Sequence, residues 1–248
     1  MAFANGPKIV TDGLVLSLDA ADRNSYPGSG TAWNDLVGSN NGTLTNGPTF
    51  NPSNGGSIVL DGVDDYVTCG TSVGNFGTSN FTINFFFKTS QTQAPRTFMA
   101  KSIGDSPTSS YGWLVNNGAD SYNLGFAIAN VNGSWGNTGS YSIQTSGVTI
   151  NDGNWKMATI VGDRTQSNVM IYINGILRSL QSYVGAANFS TVGSVSNNLQ
   201  FVVGAESDPG PSLFPINGSV SIVQIYNKAL TASEVLQNYN ATKGRFGL

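Results

Sequence analysis

Along most of the chain apolar side chains recur at every second position, in short runs closed by Gly, Asn, Asp, Pro or Ser. That is the period of a strand with one face buried. Phe81, Ile83, Phe85 and Phe87 form the clearest such face, opposite Thr82, Asn84, Phe86 and Lys88. Leu14, Leu16 and Leu18 alternate in the same way with Val15, Ser17 and Asp19. Further strands are predicted at 57–60, 66–69, 97–101, 111–115, 124–129, 141–144, 155–161, 169–173, 199–203 and 220–226. Segments 155–161 and 169–173 pair as a hairpin across the polar stretch 162–168, and Asn174-Gly175 supplies the two positive-φ residues of a type I′ turn before Ile176 and Leu177. One helix has a mechanism behind it. Thr231 caps it, Glu234 three positions on completes a capping box, and Val235, Leu236 and Tyr239 give an apolar stripe. Many strands, one short C-terminal helix and no βαβ alternation predict an all-β protein of two antiparallel sheets packed face to face.

Composition narrows the picture. The 248 residues fit one domain, expected over 14–239, with an N-terminal arm at 1–13 and a tail at 240–248 lying outside the core. Only 10% of residues are charged, against a usual share of about 25%, while a 39% hydrophobic share supplies a core and argues against disorder. A net charge of -3 without clustered Lys or Arg gives no footprint for nucleic acid or an anionic membrane. With no histidine and with Cys69 as the sole cysteine, the chain can form neither an internal disulfide nor a Cys/His nucleophile. The start lacks the basic and apolar regions of a secretory signal, and no apolar run reaches the length of a membrane span. Synthesis in a cytoplasm without a signal peptide is the expectation.

Three groups of side chains could carry chemistry. Glycoside hydrolysis needs two carboxyl groups flanking a sugar bond. The only glutamates are Glu234, explained by the helix cap, and Glu206, which with Asp208 is read as a solvated strand-end loop before Pro209-Gly210-Pro211. No enzymatic activity is expected. Asp61, Asp64 and Asp65, with Asp35 and Asn41 in an earlier loop, are hard oxygen donors suited to Ca²⁺. Asp and Asn also build turns through their own backbone bonds. Asp35, Asn41, Asp61 and Asp65 are therefore metal candidates with that alternative open, calcium is the one candidate cofactor, and none is required. Aromatic rings in polar loops suit sugars, whose C–H faces stack on them. Trp135, Tyr141, Tyr26 and Tyr183 are the glycan-binding candidates, with Trp135 in the most turn-like context; Trp33, Trp113 and Trp155 read as packing. The closing residues Lys243, Arg245, Phe246 and Leu248 combine cations with apolar groups and are read as a solvated tail or an assembly hook.

The segments Leu60-Asp61-Gly62-Val63-Asp64-Asp65-Tyr66-Val67, Phe81-Thr82-Ile83, Ile171-Tyr172-Ile173-Asn174-Gly175 and Ile225-Tyr226-Asn227-Lys228-Ala229-Leu230-Thr231 resemble the laminin G-like, pentraxin-like branch of the concanavalin A-like lectin/glucanase superfamily. The resemblance implies an antiparallel two-sheet jelly-roll sandwich. It departs from relatives at Gly218-Ser219-Val220-Ser221-Ile222-Val223, where they carry acidic residues, and so weakens a family-type metal site. The flanks, 5–21, 26–33 and 238–247, resemble structural proteins of tailed bacteriophages. That likeness implies a virion-surface protein, a capsid decoration or fibre component present in many copies or as a homo-oligomer, with other virion proteins as partners. The alternative reading is a glycan-binding adhesin that meets host-surface glycans, with or without Ca²⁺.

Overall fold

The structure is a computed structural model and describes residues 7–103, 111–130, 135, 139–183, 188–207 and 214–248. Two antiparallel sheets form the sandwich. The first runs, in spatial order, Ile176–Leu177, Asn168–Ile173, Lys156–Asp163, Phe81–Lys88, Asn217–Tyr226, Ser57–Asp61 and Thr49–Asn51, with Leu14–Asp19 also pairing on Asn217–Tyr226. The second runs Leu180–Ser182, Ser140–Thr145, Gly125–Ala129, Gly112–Asn116, Thr97–Ser102, Val202–Val203, Tyr66–Thr68, Gly42–Thr45 and Ala32–Trp33.

Period-two patterning sets which face each side chain takes. Phe81, Ile83, Phe85 and Phe87 enter the main core between the sheets, with Val223 and Ile225 beside them and Trp113, Val115, Phe126 and Ile128 arriving from the second sheet. Phe85 and Phe87 both tilt against Phe98 across the sandwich, at ring separations of 5.7 and 4.6 Å. Leu16 and Leu18 join this core, but Leu14 does not, because the register shifts between Leu14 and Leu16 and turns Leu14 to the opposite side. The hairpin forms as the pattern predicts: Asn174 and Gly175 both have positive φ (54 and 74°), and Ile173 pairs with Ile176. The predicted strand at 199–203 shrinks to Val202–Val203, and Ala32–Trp33, Gly42–Thr45 and Thr49–Asn51 are strands that no alternation announced.

The outer face of the first sheet is also covered. Phe86, Met157, Tyr172 and Ile222, which alternate with the main-core residues, pack with Val10, Trp155, Leu230, Val235 and Phe246 in a second apolar cluster. The helix Ala232–Thr242 supplies Val235 and carries the predicted capping box, with the Thr231 N–H donating to Glu234 Oε2 (2.8 Å) and the Glu234 N–H to Thr231 Oγ (3.3 Å).

This cluster corrects the expectation that both chain ends lie outside the core. A 3₁₀ turn, Lys243–Phe246, extends the helix and buries Phe246, whose ring stacks on Phe86 (4.3 Å) and tilts against Trp155 (4.8 Å). Arg245 reaches both Asp19 carboxylate oxygens from one guanidinium nitrogen, Nη1 (3.0 and 2.7 Å), and donates from Nη2 to Ser221 Oγ (2.9 Å), a charge-assisted contact that ties the turn to the first strand. At the other end, Val10 is buried, its N–H donating to Asn238 Oδ1 and its carbonyl accepting from the Tyr226 hydroxyl. Lys243 lies 5.1 Å over the Tyr239 ring, and Leu248 is exposed. Residues 1–6 of the predicted arm lie outside the described residues.

Candidate functional site

The outer face of the second sheet carries the site. Register places Ala100 opposite Leu114, Leu114 opposite Ala127, and Ala127 opposite Ser142, so one row across four strands makes a floor of small and aliphatic side chains. The half-buried Trp135 packs on that apolar patch. The next row pairs Asn116 with Gly125 and Gly125 with Gln144. A Cβ at Gly125 would sit 2.2 Å from Asn116 Oδ1, so a larger residue there would displace that amide. The room the glycine leaves lets the Asn116 amide turn: Oδ1 accepts from the Gly118 N–H (3.0 Å) and Nδ2 donates to the Tyr183 hydroxyl (3.1 Å).

Above this floor lies a pocket of about 390 Å³, walled by Trp135, Tyr183, Pro95 and Phe214 and carrying Asn116, Ser142 and Glu206 as its polar groups. That volume falls in the range of small-molecule sites. Ser142 is 1% exposed, and its hydroxyl has no hydrogen-bond partner among the described residues. Buried polar atoms are rarely left in that state, so a hydroxyl facing a pocket is a place for a ligand or water to bond. Burial raises the Tyr183 phenol above its ordinary pKa, the Asn116 bond opposes that, and the charges of Glu206 and Asp120 add to it. Tyr183 therefore stays a neutral donor and acceptor through the physiological range. Glu206 corrects the expectation of a solvated loop: it is 7% exposed and lies in the pocket. Asp208 and the turn after it lie outside the described residues.

Of the four aromatic candidates, the structure brings Trp135 and Tyr183 together and separates the other two. Tyr26 is buried at 4% exposure, tilted against Phe50, with its hydroxyl donating to the Gly30 carbonyl (2.9 Å). Tyr141 precedes Ser142 and so points to the opposite face, where it packs on Phe189 against the main core. Both are corrected to packing roles. Asn116, Ser142, Leu114 and Ala127 were not singled out from sequence, because single polar or small residues in four separate strands carry no signal until the register joins them.

The metal candidates divide as well. Asp35 is turned onto its own surroundings, accepting from the N–H groups of Ser17, Val37 and Asn40, while Asn41 Oδ1 accepts from the Asp35 N–H. These are the loop-building bonds of the alternative reading. Asp61, Asp64 and Asp65 lie together, with one oxygen from each within 4.8 Å of the others, and Asp35 is not among them. There too the carboxylates bind backbone: Asp61 Oδ1 takes the Val63 N–H, and Asp65 Oδ2 takes the Asp61 N–H. Asp65 has its carboxyl raised above the usual range by burial first, then by its acidic neighbours. The predicted four-residue set is thus two separate loops. A second cavity of about 350 Å³, bordered by Asn40, Asn75, Asn80 and Asn227, shares no residue with the aromatic pocket.

A sandwich of two large antiparallel sheets is the architecture of the jelly rolls. Residues 61–236 match the concanavalin A-like lectin/glucanases superfamily, and the chain belongs to it. Solved structures with the same fold include the binding domain of Paraclostridial Mosquitocidal Protein 1, 18% identical, with a TM-score of 0.67 over 92% of this chain and 52% of that one. Another is the botulinum neurotoxin serotype D ligand-binding domain in complex with N-acetylneuraminic acid, 16% identical, with a TM-score of 0.66 over 92% and 50% of the two chains. A third is the Trypanosoma rangeli sialidase in complex with sialic acid, 13% identical, with a TM-score of 0.64 over 96% and 34%. The chain therefore spans about half the length of these toxin domains and a third of the sialidase. At such identities the likeness is one of fold. No curated protein sequence matches the chain.

Proposed function

We propose that the protein is a non-enzymatic glycan-recognition module and that the pocket between Trp135 and Tyr183 holds the sugar. The observation that carries this reading is the buried Ser142 hydroxyl, without a partner among the described residues, at the floor of an aromatic-walled pocket. A pyranose ring offers what that site lacks: C–H faces for Trp135, and hydroxyls for Ser142 Oγ, Asn116 and the Tyr183 phenol. Binding in place of turnover follows from the acid count, since Glu206 is the sole carboxylate among the described lining residues and a glycosidase needs two.

The test is binding to a panel of purified oligosaccharides, measured calorimetrically for the wild type and for Trp135→Ala. The pocket reading expects micromolar to millimolar binding of at least one glycan and at least a tenfold loss in the variant at unchanged melting temperature. Binding untouched by Trp135→Ala would move the site elsewhere.

The flank motifs support a setting for this module on the surface of a tailed-phage particle, meeting host glycans. Phe246 and Arg245 are engaged within their own fold, so in this setting attachment to other virion subunits runs through exposed surfaces and not through the tail.

A further inference from the structure

The charge around the pocket limits which sugars it can hold. The chain has no Lys or Arg between Lys101 and Lys156, nor between Arg178 and Lys228. Those two intervals contain Leu114, Asn116, Ala127, Trp135, Ser142, Tyr183, Glu206 and Phe214, together with every loop residue adjoining them. The cations nearest to the lining residues in sequence, Arg96, Arg178 and Lys101, are bonded elsewhere. Arg178, five residues before Tyr183, pairs its backbone N–H with the Ile171 carbonyl of the first sheet and donates from its guanidinium to the Ile173 carbonyl (3.5 Å). Lys101 is wholly buried on the opposite side of its strand, its ammonium donating to the carbonyls of Thr71 and Leu199. Arg96, next to the rim residue Pro95, donates to the Pro95 carbonyl and to Gln93 Oε1, both at 2.9 Å. Among the described lining residues the one charged side chain is the buried carboxyl of Glu206.

A carboxylated or sulfated sugar entering this pocket would lose its hydration without gaining a counter-charge, and would meet a second acid at short range. Both effects disfavour it in a desolvated site. A neutral ring meets neither penalty, and a protonated amino group gains from the carboxyl. We infer that the pocket selects uncharged or amino sugars and rejects acidic glycans, including those ending in sialic acid, the ligand held by two of the proteins that share its fold. This rests on the pocket being the glycan site.

The experiment compares matched pairs of oligosaccharides with the same neutral core, one of each pair capped with sialic acid, against the wild-type protein. Glucosamine and N-acetylglucosamine oligomers serve as the amino and neutral probes. The inference predicts binding of uncapped or amino forms and at least a tenfold weaker response to each capped partner, with Glu206→Gln reducing the advantage of the amino form. Capped glycans bound as tightly as their cores, in a mode that Trp135→Ala abolishes, would overturn the charge selection and leave the glycan site standing. No binding to any probe would overturn the glycan reading itself and this inference with it. The wild-type comparison does not depend on any variant folding.

Discussion

Ser142 and Lys101 show two outcomes of burying a polar group in one sheet. Ser142 keeps its hydroxyl without a partner among the described residues, at the pocket proposed to hold the sugar. Ser142→Ala should leave stability within about 1 kcal/mol of wild type, because it removes an unsatisfied group rather than a bond, while weakening glycan affinity severalfold in calorimetry. Lys101 instead satisfies its ammonium with carbonyls, and burial pushes its pKa down to about 8 from 10.5. The sign follows from proton counts. Across that interval the unfolded chain binds more protons than the folded one, so stability rises with pH. Denaturant melts should show stability climbing from pH 8 towards pH 10, by at most about 3 kcal/mol, and Lys101→Met should flatten the climb. Burial pushes the Tyr226 phenol up to about 12, so tyrosine ionisation in the unfolded chain reverses the trend above pH 10.

Among elements, the C-terminal turn contributes most that was not foreseen. Phe246→Ala should cost about 3 kcal/mol, the usual scale for deleting a packed ring, read as a drop in denaturation midpoint. Deleting residues 243–248 should cost more, because it also removes the Arg245 clamp on Asp19. Thr231→Ala, which removes only the cap, should cost about 1 kcal/mol. The cap and the Phe81–Lys88 strand were legible in sequence because their signals are local: a Thr with a Glu three residues on, and apolar side chains at every second position. The terminal turn was not. One 3₁₀ turn has no room for periodicity, and Phe246 finds Phe86 from the far end of the chain. Phe86 itself sat on what the alternation assigned as the outer face, and only the docked termini make that face a core. The pocket floor was hidden for a related reason, being a row of partners from four strands whose register sequence does not reveal.

At the scale of the molecule the two sheets have different duties. The first is covered on its outer side by the helix, the N-terminal segment around Val10 and the C-terminal turn, so it is buried on both faces and serves as scaffold. The second carries on its outer face a smaller buried patch of Ala100, Leu114 and Ala127, with Trp135 packed on it and the pocket beside it. Its inner face rests on the main core, so Asn116 and Ser142 stand on strands fixed from below, while Trp135, Tyr183 and Glu206 reach the pocket from segments between strands. The most direct test of that division is a crystal structure with a neutral oligosaccharide that the protein binds in solution. The account predicts a sugar ring against Trp135, with one hydroxyl within hydrogen-bond distance of Ser142 Oγ and another near Asn116 or Tyr183. A sugar bound instead at the Asp61, Asp64 and Asp65 loop, with the aromatic pocket left to solvent, would contradict it.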